Sequence, residues 1–276
     1  MKKQWSGERL ESFMYDENAM EHLHRYAIAL EYCKNKTVLD IACGDGYGAN
    51  LLAQTAAHVT GADIDADIIQ SASGKYARSN LQFVNGDMTA LPFNDQHFDV
   101  ITCFETIEHT DAHEKAFHEF KRVLKPGGLL LISTPDKKNY SDVPGYANPF
   151  HKKELYEDEF KAIVKNYFTH SFFLHQRLLL CSAAVSERET SMHYFEGDYD
   201  KITTKKKMDA IYFFAIASDE EIVPPSSSLF SGQAILQTAL DKKEAAIKKT
   251  ISYRIGHFIL LPAKMIRRLF KKNIAE

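Results

Sequence analysis

The chain has 276 residues, 45% of them hydrophobic and 26% charged, a balance that suits one large α/β core with an appendage. A net charge of -3 gives no reason to expect a nucleic-acid partner. No apolar run is long enough to span a membrane, and Met1 to Arg9 lacks the apolar stretch of a signal peptide, so a cytoplasmic protein is expected. Cys33, Cys43, Cys103 and Cys181 are scattered without metal-binding spacing and read as free thiols.

Residues 1–35 read as an N-terminal lid and helix. Ser6 to Arg9 form the candidate lid, and a helix over 10–34 is expected to lie across a pocket mouth. Thr37 to Gly48 reads as a buried strand (Val38, Leu39, Ile41), a glycine turn (Gly44, Gly46, Gly48) and a helix from about Ala49 to Ala57. His58 to Asp65 is a second strand ending in acid. Asp63 lies about twenty residues past the first glycine, where an acid can bind a ribose diol. Asp65 and Asp67 read as helix-start residues of a helix reaching about Arg78.

Further strands are expected at Leu81–Val84, His97–Phe104, Leu129–Ser133, Ser171–Leu180 and Ile211–Ala217. Between them come helices from about Ala112 to Leu124, stopped by Lys125-Pro126-Gly127-Gly128, and from Lys152 to Phe168. This alternation implies a doubly wound, mostly parallel sheet with ligands at the carboxyl ends of its strands. The sheet domain spans 36–220, with a polar insertion over about 182–208 that carries His193, Tyr194, Phe195 and Lys205-Lys206-Lys207. Residues 221–232, including Val223-Pro224-Pro225-Ser226, read as a linker. In 233–276, Lys and Arg interleave with Ile, Leu and Phe. This is a basic amphipathic helical tail, kinked near Gly256 and Pro262, suited to an anionic membrane surface or to docking on protein.

Gly44-Asp45-Gly46-Tyr47-Gly48-Ala49 also fits a dinucleotide fingerprint. Asp40, inside the strand four residues before the first glycine, argues against that reading, because a carboxylate there repels a pyrophosphate and attracts a cation or an amine. Val38 to Gly48 resembles motif I of class I S-adenosylmethionine-dependent methyltransferases, of the type 11 kind. The similarity extends through Gly61-Ala62-Asp63-Ile64, Gly86-Asp87-Met88, Leu91-Pro92-Phe93 and Leu124 to Gly128, covering roughly residues 36–135. The resemblance implies a seven-stranded Rossmann-like methyltransferase sheet. It also implies a donor site in which Gly44 and Gly46 border the donor and Ala42 and Cys43 line its methionyl portion. Asp40 would hold the amine side, Asp63 the ribose, Ile64 the adenine face, Asp87 and Met88 the adenine, and Phe104 would flank the sulfonium.

On the acceptor side, Glu105, Glu108 and His109 follow the fourth strand and can converge at one turn as a divalent-ion site. Their spacing resembles the E-x-x-E-H motif of small-RNA 2′-O-methyltransferases and ubiquinone-pathway O-methyltransferases. That resemblance implies a metal (Mg, Mn or Zn) held by Glu105, Glu108, His109 and His151. The metal-free alternatives keep His109 as general base, or Glu108 and His109 as helix caps. Gly7 to Arg9, Glu21 to Tyr26 and Asn148 to Leu155 look like bacterial methyltransferases of surface-polysaccharide and O-antigen loci. This implies a sugar hydroxyl or sugar phosphate acceptor, lipid-linked or small, with Arg9, His24 and Arg25 as contacts to acidic groups. A quinone-pathway or other small-molecule O-methyltransferase and a non-catalytic donor-binding partner subunit are the alternatives.

Overall fold

The computed structural model describes residues 10–179, 194–197, 202–205, 208–253 and 255. Its centre is β1 (Thr37–Ile41), flanked in parallel by β2 (His58–Asp63) and β4 (Phe98–Phe104). β3 (Leu81–Asn85) extends the sheet beyond β2, and β5 (Leu124–Pro135) extends it beyond β4, both parallel. β9 (Tyr212–Ser218) then runs antiparallel between β5 and β6 (His170–Gln176), giving the seven-stranded order β3-β2-β1-β4-β5-β9-β6. The expected mostly parallel, doubly wound sheet is the fold observed.

Two-sided burial explains the composition of the central strands. On one face Leu39, Ile41, Ile101, Leu130, Ile132, Phe213 and Ala215 pack with Phe117 and Phe120 of α4 (His113–Val123) and Phe160 and Val164 of α5 (Glu157–Tyr167). On the other, Val38, Val100, Leu131, Phe214 and Ile216 pack with Tyr26, Ala29 and Cys33 of α1 (Glu17–Cys33) and with Ala49 and Leu52 of α2 (Tyr47–Leu52). Each fully buried Phe or Leu here contributes about 1.5–3 kcal/mol. α3 (Ala66–Lys75) is capped by Asp65, whose carboxylate accepts from the Asp67 and Ile68 amides, with Asp67 in the first turn.

Several boundaries depart from the sequence reading. α1 begins at Glu17, because the Asp16 carboxylate caps it by accepting from the Ala19 amide. α2 starts two residues before Ala49 and ends at Leu52. Lys125 to Gly128 is not a loop. β5 begins at Leu124, which pairs with Phe98, and the register shifts before Val100 pairs with Leu129. α5 starts at Glu157, not Lys152: Leu155 bridges to Asp136 and Tyr156 forms a capping box with Glu159. Within the expected irregular insertion, β7 (Tyr194–Gly197) and β8 (Ile202–Lys205) form a two-stranded antiparallel ladder. His193, Lys206, Lys207 and Cys181 lie outside the described residues, as do Ser6 to Arg9, Gly256 and Pro262. Cys33, Cys43 and Cys103 are buried free thiols.

Part of the segment read as a linker lies along α1. Tyr32 donates to the Val223 carbonyl at 2.9 Å, His24 bonds Ser228 at 2.8 Å, and the His24 and Phe230 rings stack at 5.9 Å. Residues 231–276 form a second unit containing α6 (Gln233–Lys249), none of whose residues is buried. Among the described residues no helix is long and apolar enough to cross a membrane.

Candidate active site

The carboxyl ends of β1, β2, β4 and β5 converge on a cavity of about 550 Å³. Its donor half is made by the turn after β1. Ala42 (φ 53°) and Gly44 (φ 51°) are left-handed, and Gly46 (φ 81°) opens α2. Asp63 at the end of β2 ties this turn down: its carboxylate accepts from the Gly44 amide at 3.0 Å and from the Asp65 amide at 3.0 Å. A Cβ on Gly48 would lie 2.0 Å from the Tyr26 ring, so glycine there is what lets α1 close over the turn.

Ala42, Cys43, Gly44, Asp63, Ile64, Asp87, Met88 and Phe104 all line the cavity. Ile64 is 67% exposed, an apolar lid over the β2 end. Two expectations need correction. Gly46 faces away from the cavity, towards the ring of Phe83 and the methyl of Ala72. Asp40 does not line the cavity either; it stands one layer behind. Its carboxylate accepts from Thr102 at 2.7 Å and from the Tyr26 hydroxyl at 3.2 Å on each oxygen, and Tyr26 is the residue that faces the pocket. Burial pushes the Asp40 carboxyl up to about 7 against the pull of these hydrogen bonds. Burial next to that carboxylate also holds the Tyr26 hydroxyl well above its ordinary range.

The acceptor half begins at Glu105, a non-glycine residue at φ 51° directly after β4. Such a backbone costs on the order of 1–3 kcal/mol and points to a position over-determined by its surroundings. Ser133 donates to the Glu105 carboxylate at 2.6 Å, and Arg25 approaches it at 3.5 Å. Glu108 and His109 follow in a single 3-10 turn (Ile107–His109). Glu108 is buried and accepts from Thr134; burial, then the nearby Glu105 charge, holds its carboxyl well above the usual carboxylate range.

His151 reaches back from the loop after β5. Ligating atoms of Glu108, His109 and His151 lie within 4.8 Å of one another, whereas Glu105 falls outside this group, held by Ser133 and Arg25. Of the four residues expected from sequence to hold a metal, three are thus brought together. Both imidazoles are backed on Nδ1: His109 by the Phe150 carbonyl at 3.1 Å, His151 by the Glu154 carboxylate at 2.5 Å. Because those partners only accept, Nδ1 carries the proton and the Nε2 lone pairs are the acceptor or ligand atoms. The His151 Nε2 accepts from Asn148 at 3.0 Å. The His109 ring meets His151 edge-on at 5.1 Å, and Tyr140 stacks on His151 at 5.5 Å.

The sequence did not single out the roof and wall of this cavity: Met14, His22, Tyr26, Tyr140, Tyr146 and Tyr212. The placement of α1 across the mouth was expected, and the bare backbone of Gly48 is the one local sign that an aromatic ring packs there. His24 and Arg25, expected as contacts to acidic groups, are engaged elsewhere. His24 joins Ser228 and Phe230. Arg25 is buried, donating to Gln176 at 2.7 Å with its guanidinium 4.5 Å from the Tyr212 ring centre. Arg9 lies outside the described residues.

Residues 39–132 match the family model described as "Methyltransferase domain". The chain is similar to a protein of Mycolicibacterium smegmatis named "Probable S-adenosylmethionine-dependent methyltransferase", 34% identical over 165 residues that cover 58% of this chain and 63% of that one. It is 35% identical over 103 residues to a ubiquinone biosynthesis O-methyltransferase of Coxiella burnetii, covering 37% of this chain and 44% of the relative. This chain therefore spans less than two thirds of the length of those relatives. In fold it resembles the crystal structure of the YcgJ protein from Bacillus subtilis, with a TM-score of 0.51 at 18% identity over 72% of this chain and all of the other. Over residues 39–132, from the buried strand through the glycine turn to β5, the chain is similar to methyltransferase domains, and the relatives it matches there include one named as S-adenosylmethionine-dependent.

Proposed function

We propose that this protein is an S-adenosylmethionine-dependent O-methyltransferase acting on a hydroxyl of a sugar or sugar phosphate in cell-surface polysaccharide synthesis. The observation that carries this reading is that one continuous cavity joins the donor-type residues Asp63, Ile64, Asp87 and Met88 to the imidazoles of His109 and His151, each backed on Nδ1 by an acceptor. The sugar assignment is supported by the acceptor wall, where the rings of Tyr140, Tyr146 and Tyr212 alternate with the polar groups of Asn148, His151 and Lys152. Flat aromatic faces suit the C–H faces of a sugar, and the polar groups suit its hydroxyls.

The donor supplies a methyl carbon on a positively charged sulfur, open to in-line displacement. Asp63 would hold the ribose, Ile64 and Met88 would cover the adenine, and Tyr26, anchored on Asp40, would close the methionyl end. The acceptor oxygen forms the new C–O bond as the S–C bond breaks, and its proton passes to Nε2 of His109. Holding both partners in line can supply about 7–11 kcal/mol of the barrier.

A divalent metal is the second reading at the same place. Glu108, His109 and His151 offer a carboxylate and two imidazoles, and the buried Glu108 and partly buried Glu105 have only Arg25 as a nearby buried cation among the described residues. Such an ion would lower the acceptor hydroxyl's pKa and orient it.

The test is transfer of labelled methyl from the donor into cell-envelope fractions, with and without EDTA. Label confined to polysaccharide supports the proposal. Label in the quinone fraction instead assigns the small-molecule alternative suggested by the Coxiella relative. Donor binding with no transfer to any fraction leaves the non-catalytic subunit. Full activity in chelator removes the metal.

A further inference from the structure

The second unit presents a surface that the methyltransferase reading does not use. At 100° per residue, Leu236, Leu240 and Ile247 of α6 fall within about 40° of one another on one face. Their exposures are 53, 59 and 57%, which for large aliphatic side chains in register is an unfilled apolar stripe. Lys243 lies on one flank and Lys248, paired with Glu244 at 2.5 Å, on the other, with Lys242 and Lys249 on the back.

The charge is segregated to match. After residue 232 the sequence holds ten Lys and Arg against three Asp and Glu, a net +7, in a chain whose total is -3. A protein groove would account for the stripe alone. A bilayer with anionic headgroups accounts for both features, because aliphatic tips enter the acyl boundary while flanking lysine stems extend back to lipid phosphates. The helix is not long and apolar enough to cross the bilayer, so it would lie along it.

We propose that the Leu236–Leu240–Ile247 face of α6 docks on an anionic lipid surface, with Lys243 and Lys248 reaching the headgroup phosphates on either side. This inference is independent of which acceptor the active site methylates.

The experiment is flotation of the full chain with vesicles of phosphatidylcholine alone or containing roughly 30% phosphatidylglycerol, at about 0.05 M and 0.5 M salt. The expected result is at least about tenfold greater recovery with the anionic vesicles, falling at high salt. Leu240→Gln/Ile247→Gln and, separately, Lys243→Gln/Lys248→Gln should each lose about tenfold in vesicle affinity while binding the methyl donor as the parent does. All four positions are exposed, so neither variant disturbs a packed core. Equal recovery of the full chain from neutral and anionic vesicles overturns the proposal, as does undiminished binding by the Leu240/Ile247 variant. A dimer in sedimentation velocity that the Leu240/Ile247 variant dissociates, with no vesicle binding, assigns the stripe to a second copy and overturns it as well.

Discussion

Replacing Asp40 by asparagine should remove a pH-dependent liability from the fold while damaging the donor site. The Asp40 carboxyl is buried, and burial raises it from 3.8 to about 7. Between those values the folded chain keeps the proton while the unfolded chain releases it, so stability is full below about pH 4 and drains away as pH rises towards 7. Three pH units correspond to about 4 kcal/mol, an order-of-magnitude ceiling on what the charged form costs above pH 7. Asparagine avoids that cost but gives up one acceptor for Thr102 or Tyr26, which takes back about 1–2 kcal/mol. The measurement is urea unfolding of parent and Asp40→Asn at intervals from pH 4 to 8. The difference in unfolding free energy, variant minus parent, should climb across pH 4 to 7 and level off above it. Calorimetry at pH 8 should show donor affinity reduced about tenfold, because Tyr26 loses a charge-assisted anchor. A difference that stays flat with pH would refute the reasoning, since a carboxyl that titrates equally in both states contributes no slope.

Gly48→Ala should cost about 1–3 kcal/mol in unfolding free energy and weaken donor binding, because its Cβ would sit 2.0 Å from the Tyr26 ring; adding Tyr26→Leu should recover the stability but not the binding. Arg25→Met should destabilise by about 3–5 kcal/mol by leaving the partly buried Glu105 without its cation, and Arg25→Met/Glu105→Gln should recover most of that loss in a double-mutant cycle. Glu154→Ala should lower kcat about tenfold or more with the donor KM unchanged, and the His151 ¹⁵N shifts should show loss of the Nδ1–H tautomer; Glu154→Gln, which still offers an oxygen, should keep that tautomer. An unaltered imidazole spectrum in Glu154→Ala would remove Glu154 from this positioning role.

The first five sheet strands and the donor half of the site were legible because their signals are local. Val38, Leu39 and Ile41 announce a strand buried on both faces, and Asp63 and Asp87 stand at strand ends where the chain must turn. Boundaries failed where tertiary contacts overrode local pattern. Lys152 to Leu155 has helical composition, but Leu155 is pulled into a bridge with Asp136, and the Lys152 amide donates to the Glu108 carbonyl. Lys125 to Gly128 reads as a stop, yet Leu124 is already paired with Phe98. The roof and wall of the cavity were hidden for a different reason: Tyr26, Tyr140 and Tyr212 come from three distant segments, and no spacing within any one of them marks it. Glu105 was grouped with Glu108 by proximity in sequence. Its left-handed backbone turns it instead towards Ser133 and Arg25.

The insertion of β9 between β5 and β6 has a consequence for how the chain is made. β6 leaves the ribosome first but finds no neighbour, since its partner is residues 212–218. Until those residues emerge, the outer rim of β5 is an open row of amides and carbonyls, the kind of rim that recruits other chains. A nascent chain stalled or cut between Gln176 and Tyr212 would therefore carry one orphan strand, β6, beside the open edge of β5.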